Sequence, residues 1–394
     1  MRRLRNLAAN LAVFGGACAV ALVFGEGGLR LLGRPTAEDG WRSVPPLEQR
    51  VATIPPKASG RLRMLALGDS FTEYRDGTGE NWARLLATEA RHDGVDIELW
   101  NLGQAGTSVP HYLKNLRSYG RALSPDIVAV GLYLGNDPFE YELEREKKHR
   151  GLPPDPVQTI GRRPAGLLTS LRSRSRLVAA LNALQKQLAA RAGSRNTTFD
   201  ANLRHAAEIY GLGPHVVDER VAAGNAEMLR LARADAINGW DLAFGLLRPG
   251  RYVEQILLPE GSPTLQAFED MEQDLDALDA ECRAVARHCL YVVIPCSLQV
   301  HPRYFAYYES LGFQTDARTV GESPLLRRTR EYFETRGRLA VDPLPELRAA
   351  ATEPYLPMDT HLSVDGQQIV GRAAWERLRS VLKPAAASYR QSWE

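Results

Sequence analysis

The chain has 394 residues, enough for about two to three average domains or for one domain carrying a large insertion. Hydrophobic residues at 44% and charged residues at 24% are those of an ordinary folded protein, with no internal repeat and no low-complexity tract. Lys and Arg number 49 against 47 Asp and Glu, so a net charge of +2 gives no global reason to expect nucleic acid as a partner.

The amino terminus differs from the rest. Met1-Arg2-Arg3-Leu4-Arg5 precedes an apolar stretch, residues 7–24, interrupted only by Asn10 and small residues. As a helix it would be about 27 Å long, close to the roughly 30 Å hydrocarbon core of a bilayer. Three arginines at the start favour a cytoplasmic amino terminus with everything after the span on the far side. Residues 1–32 are therefore expected to be a membrane anchor, the alternative being a cleaved signal peptide and a secreted domain. Small residues at Ala17-Cys18-Ala19 lie inside the apolar run rather than after it, which favours the anchor, and Gly15 stands where a lipoprotein signal needs leucine. Residues 33–60, rich in proline and polar residues, read as a linker.

From residue 61 a regular alternation begins. Residues 63–67 form an apolar strand that ends in Gly68-Asp69-Ser70-Phe71-Thr72, and a helix at 82–90 puts Trp82, Leu85, Leu86 and Ala90 on one face. A second strand at 95–100 runs into Asn101-Leu102-Gly103-Gln104-Ala105-Gly106-Thr107. A helix at 110–123 leads to a third strand at 127–132, closed by Gly135-Asn136-Asp137. The pattern then lapses. Residues 138–262 are charged, arginine-rich and mostly helical, with breaks at Pro153-Pro154 and Gly211-Leu212-Gly213-Pro214, and are too long for a loop. They read as a helical insertion placed as a cap over the carboxyl edge of the sheet, with the basic stretch 172–191 as a solvated helical face. A helix at 263–287, a strand at 290–295 and a weaker strand at 338–342 follow. A last helix turns Ile369, Val370, Ala373, Ala374, Leu378 and Leu382 inward, and residues 384–394 form a tail. Apolar strands separated by helices predict a three-layer α/β/α sandwich around a mostly parallel five-stranded sheet spanning 61–383. Of the four cysteines, Cys18, Cys282, Cys289 and Cys296, none has metal-ligand spacing. Buried free thiols are the expected state, although Cys282 and Cys289 could bridge in an oxidising compartment.

Four segments fall at strand ends or just before the last helix, on the edge where open α/β sheets bind ligands. Ser70 offers a nucleophile. Gly106 lies in a glycine-bracketed turn whose backbone N–H can approach a ligand, and Asn136 adds a side-chain amide donor. His361, with Asp359 two residues earlier, supplies a base and a group to orient it. Together these are the parts of an acyl-transfer site: nucleophile, base, orienting carboxylate and oxyanion donors. Taken singly, Gly-Asp-Ser and Gly-Asn-Asp are ordinary turns and Asp359-Thr360-His361 a helix cap; their order and placement carry the reading. Among the other histidines His301 is the main rival base, and it reads as a surface loop residue.

On these blocks the chain resembles the SGNH (GDSL-type) hydrolase superfamily, over residues 61–137 and 265–383. The resemblance implies a flavodoxin-like sheet, a Ser70-His361-Asp359 triad, and an oxyanion site from the N–H groups of Ser70 and Gly106 with the Asn136 amide. One departure stands out. Most of the superfamily places the aspartate three residues before the histidine, where this chain has Met358. The Asp-x-His form is similar to that of polysaccharide O-acetyltransferases, in which, however, the pair precedes the serine. No G-x-S-x-G elbow supports an α/β-hydrolase fold. Nothing in the sequence calls for a cofactor or metal, there being no H-E-x-x-H, P-loop or dinucleotide fingerprint. The expected activity is an exported serine esterase acting through acyl-Ser70 on a small acyl ester or acylated saccharide. The alternatives are an O-acyltransferase acting on a cell-surface polysaccharide and a non-catalytic, membrane-tethered binding or assembly protein.

Overall fold

The computed structural model describes residues 51, 54–73, 81–152, 197–234 and 236–382. The expected membrane span at 7–24, the basic stretch 172–191 and the tail 384–394 lie outside the described residues. Among the described residues no helix is long and apolar enough to cross a membrane.

In chain order, β1 (Leu62–Leu67), a short α1 (Ser70–Glu73), α2 (Trp82–His92), β2 (Ile97–Asn101), α3 (Val109–Leu123) and β3 (Ile127–Tyr133) make the first half of the sandwich. After them come α4 (Asp137–His149), α5 (Thr197–Tyr210), α6 (Pro214–Ala223), α7 (Ala226–Arg233), α8 (Gly239–Leu247) and α9 (Arg251–Leu257). The long α10 (Pro263–Val285) leads into β4 (His288–Ile294), α11 (Ser297–Val300), α12 (Phe305–Ser310), α13 (Pro324–Thr335), β5 (Leu339–Val341), α14 (Leu344–Ala349) and α15 (Val364–Arg379). All five expected strands are present, pairing in the order β2-β1-β3-β4-β5 with every pair parallel. β1 and β3 lie inside the sheet with nearly every residue buried, which is why they read as continuous apolar runs. β5 pairs with β4 alone and its three residues are half-buried, so its sequence signal is weaker.

Helices α2 and α15 pack together on one face, and α3, α4 and α10 cover the other. The apolar stripe foreseen on α15 is buried at Val370, Ala373, Ala374 and Leu378. Asn81 and Ser363 cap α2 and α15 by accepting backbone N–H bonds from Arg84 and Gly366 at 3.0 and 3.2 Å. Within the inserted stretch α5, α7 and α8 pack on one another, while α9 lies against α10 and α13.

The cysteines correct one expectation. Cys282 in the last turn of α10 and Cys289 at the start of β4 form a disulfide, their Cα atoms 6.1 Å apart, rather than standing as free thiols. The sharp turn from helix into strand brings them within bridging range. Cys296 is free and buried.

The chain leaves β1 toward β2 on one side, then crosses to β3 on the other. This switch of direction opens a crevice at the carboxyl ends of β1 and β3. The turn after β1 is tight. Gly68 has φ +155°, and a Cβ there would sit 2.0 Å from Thr72 Oγ1 and 2.9 Å from the Gly131 carbonyl oxygen. Gly68→Ala is therefore expected to cost about 1–3 kcal/mol of stability through overpacking. A urea titration would show it as a lower midpoint at unchanged slope; an unmoved midpoint would mean that the turn accommodates the methyl group.

Candidate active site

Ser70 opens α1 at the end of β1, where Asp69 folds the chain back. Asp69 Oδ1 accepts the Phe71 N–H at 2.9 Å, and its carbonyl accepts from Thr72 and Glu73 at 3.1 and 2.9 Å. The loop after β2 is tied to this turn. The Leu102 N–H donates to the Ala66 carbonyl at 2.8 Å, that of Gln104 to Gly68 at 2.9 Å, and that of Ala105 to Glu73 Oε2 at 2.8 Å. Gly106 follows with φ +68°, a conformation that other residues rarely adopt.

His361 arrives from the far end of the chain on a narrow hairpin. Tyr355 and Leu362 form an antiparallel bridge, the Leu356 N–H donates to the His361 carbonyl at 2.9 Å, and the Ser363 N–H to the Pro354 carbonyl at 2.9 Å. The imidazole is 5% exposed and stacks on Phe71 with ring centroids 4.8 Å apart; Tyr133 stacks on Phe71 at 3.7 Å. Nε2 lies 2.9 Å from Ser70 Oγ, and Nδ1 lies 2.6 Å from Asp359 Oδ1. With Nδ1 protonated and donating to Asp359, Nε2 accepts from the Ser70 hydroxyl. The two-residue spacing works because Asp359 Oδ1 also accepts the His361 backbone N–H, at 3.1 Å, closing a local turn that aims the carboxylate at the ring. Met358, at the commoner aspartate position, is 47% exposed.

Asn136 precedes α4 but makes no side-chain capping bond; it lines the same pocket as Ser70, Gly106 and His361. Among the described residues the N–H groups of Ser70 and Gly106 donate to no other protein group. The structure thus brings four of the five sequence-selected residues, Ser70, Gly106, Asn136 and His361, to one pocket of about 200 Å³, and bonds the fifth, Asp359, to His361 behind it. His301 is exposed, its Nδ1 accepting the Arg303 N–H at 3.0 Å, and does not reach the pocket.

What sequence reasoning missed comes mostly from the inserted stretch. Trp240, Asp241 and Phe244 of α8 and Arg251 and Tyr252 of α9 form one wall of the pocket. The signal was present as single charges, Asp241 and Arg251, set among apolar and aromatic residues on short helical runs. Asp241 accepts from the Asn238 amide at 3.0 Å. Burial, with the charge of Asp359 behind it, raises its pKa to about 6 against the opposing pull of Arg251 and His361.

A second missed feature lies beneath Ser70. Burial pushes Asp69 up to about 7, although the Phe71 N–H, His361 and the Asn136 amide beside it act the other way. Asp137 is raised well above the carboxylate range, first by burial and then by the neighbouring Asp69. Asp137 accepts from the Tyr112 hydroxyl at 2.7 Å and the Tyr133 N–H at 2.9 Å. Among the described residues no group of three or more His, Cys, Asp or Glu side chains is arranged to hold a metal ion.

No family model matches this sequence, and no curated protein matches it. Among solved structures the chain is similar to Axe2, an acetylxylan esterase from Geobacillus stearothermophilus, at 12% identity over 81% of this chain and 95% of that one, with a TM-score of 0.35. It is also similar to TesA, at 12% identity over 81% of this chain and 99% of that one, with a TM-score of 0.36.

Burial alone would lower the pKa of His361, but the charge and hydrogen bond of Asp359 outweigh it, with Asp69 and Asp241 adding to the rise, so the ring titrates above its ordinary value. Asp359 is the reciprocal case: burial raises it, the charge and bonds of His361 lower it further, and the net shift is downward. Removing the carboxylate charge reverses the balance at the ring. An NMR titration is expected to place His361 above about 6.5 in the natural protein and at lower pH in Asp359→Asn. Equal values in the two proteins would mean that another group orients and charges the ring.

Proposed function

We propose that this chain is a serine ester hydrolase acting through an acyl-Ser70 intermediate. The observation that carries this reading is the unbroken hydrogen-bonded series Ser70-His361-Asp359 at the carboxyl end of β1. It opens onto a pocket that also presents Gly106 and Asn136. The resemblance of the sequence blocks to SGNH hydrolases supports the same chemistry.

Ser70 Oγ attacks the ester carbonyl carbon while its proton passes to His361 Nε2, and the carbonyl electron pair moves onto oxygen. Asp359 holds Nδ1 protonated and stabilises the resulting imidazolium. The N–H groups of Ser70 and Gly106 and the Asn136 amide receive the oxyanion. Collapse expels the alcohol, whose oxygen takes the proton from His361. Water, deprotonated in turn by His361, then releases the acid and restores the Ser70 hydroxyl. A pocket of about 200 Å³ is small beside the roughly 300–1,000 Å³ of sites for larger ligands, which favours a short acyl group.

A second reading keeps the acyl-enzyme but delivers it to a sugar hydroxyl. It is favoured by the wall that Trp240 and Asp241 add, an aromatic surface beside a buried hydrogen-bond acceptor. In both readings the domain works outside the cytoplasm, tethered by residues 1–32 or released after signal cleavage. The Cys282–Cys289 bridge supports an oxidising compartment.

The purified domain should show a burst of nitrophenol from p-nitrophenyl acetate and label with a fluorophosphonate, and Ser70→Ala should lose both. A burst that survives Ser70→Ala would overturn the assignment, and a natural protein that neither bursts nor labels would favour the binding-protein alternative. Because His361 acts as a base and its pKa is raised, kcat/KM should fall as pH drops, with a midpoint above about 6.5. Product analysis with and without saccharide acceptors separates hydrolysis from transfer.

A further inference from the structure

The carbonyls of Leu134 and Gly135 lie just past the last ladder position of β3, in buried backbone immediately before Asn136. Buried carbonyls need donors, and the sheet supplies none here. Both donors come from α9, well over a hundred residues further along the chain. Arg251 Nη2 donates to the Gly135 carbonyl at 3.0 Å, and Gln255 Nε2 donates to the Leu134 carbonyl. Arg251 is 3% exposed and Gln255 fully buried. The guanidinium also lies over the ring of Phe139 in the first turn of α4, 3.4 Å from its centroid. Asn136 is therefore gripped from both sides: the two carbonyls before it by Arg251 and Gln255, the helix after it by the same guanidinium. Among the described residues Gln255 Oε1 and Arg251 Nε have no hydrogen-bond partner, so two polar side chains are kept in the interior at a cost. The turn they hold accounts for their presence.

We infer that Arg251 and Gln255 of α9 are positioning residues that set the direction of the Asn136 amide, so that the inserted stretch completes the oxyanion site from behind. The inference rests on the reading of Asn136 as an oxyanion donor. The inserted stretch is then more than a wall or cap, because the catalytic turn is incomplete without it. A turn left with unsatisfied carbonyls rotates to find water and carries the amide away from the developing charge. A displacement of about 1 Å in such a group costs up to roughly 100-fold in rate.

The test is a double-mutant cycle on the burst substrate p-nitrophenyl acetate, with thermal melts to establish folding. Arg251→Gln is expected to lower kcat by about 10- to 100-fold while KM changes less than about threefold. Gln255→Met, which keeps the volume and removes only the donor, should lower kcat in the same direction and stands in if Arg251→Gln does not fold. In an Asn136→Ala background, either substitution should lower kcat by less than about twofold, since the group it positions is gone. Equal losses in both backgrounds would overturn the inference and leave the Ser70 assignment standing. So would an effect confined to KM, which would make Arg251 a substrate contact. A harmless Asn136→Ala would remove the oxyanion role and the positioning role together, with the Ser70 burst unaffected.

Discussion

The hydrogen bond between His361 Nε2 and Ser70 Oγ joins positions 291 residues apart, and much of the molecule serves to keep it at 2.9 Å. Neither partner is held by its own element alone. Ser70 stands on a four-residue helix that could not persist in isolation, and is fixed by the Asp69 turn and by Thr72. The Thr72 carbonyl accepts from Asn81 and Asn101, each at 2.7 Å. His361 sits on a hairpin with one bridge, but its ring is clamped between Asp359 and the face of Phe71. Phe71 is the residue after Ser70, so the helix that presents the serine also supplies the surface on which the His361 ring rests. The Trp82 N–H at the start of α2 donates to Gln367 Oε1 of α15, at 2.9 Å, which couples the two helices flanking this arrangement.

The inner strands were legible because they satisfy one rule: a run buried on both faces must be apolar throughout, and a helix must return the chain to the same edge. β1, β3 and β4 obey it with little ambiguity, and β5, half-buried at the edge, showed only faintly. The candidate site was legible for a related reason. Ser70, Gly106 and Asn136 follow strands or their loops, and an open parallel sheet gathers such ends on one edge. The spacing of Asp359 looked anomalous in sequence, but a local turn that ties its carboxylate to the His361 N–H gives it a physical basis.

The inserted stretch was legible only as a helical insertion over the sheet edge; which of its residues reach the pocket depends on tertiary placement. Asp241 and Arg251 stand among apolar and aromatic residues, a local hint of burial that does not say what they face. Their burial follows from how α8 and α9 meet the sheet. The Cys282–Cys289 bridge was likewise a matter of placement, since seven residues of separation permit a bridge only if the helix turns sharply into the strand. Asp69 and Asp137 show the limit from the other direction. Both belong to recognisable turns, yet their mutual influence through the protein interior is invisible until β1 and β3 are paired.

Charge balance links these unseen groups to the chemistry. Three carboxylates, Asp359, Asp69 and Asp241, bias His361 toward its protonated form, while Arg251 opposes the ionisation penalty of Asp241 from the same wall. A base that is easily protonated takes the serine proton readily, but less of it is free at neutral pH. The carboxylates beneath and beside the site shift this compromise according to their own protonation. Asp69, raised to about 7, changes charge in the same range in which His361 would have to be neutral to act as the proposed base. As pH rises through that range Asp69 becomes anionic and favours the imidazolium further, so the two titrations are coupled and the pH response belongs to the pair. Arg251 stays charged under these conditions: burial works against the guanidinium, but Tyr252, Tyr210, Asp241 and Glu140 outweigh it. It therefore provides the fixed positive reference in a site whose other charges move, and its bond to the Gly135 carbonyl transmits that fixed point to the turn bearing Asn136.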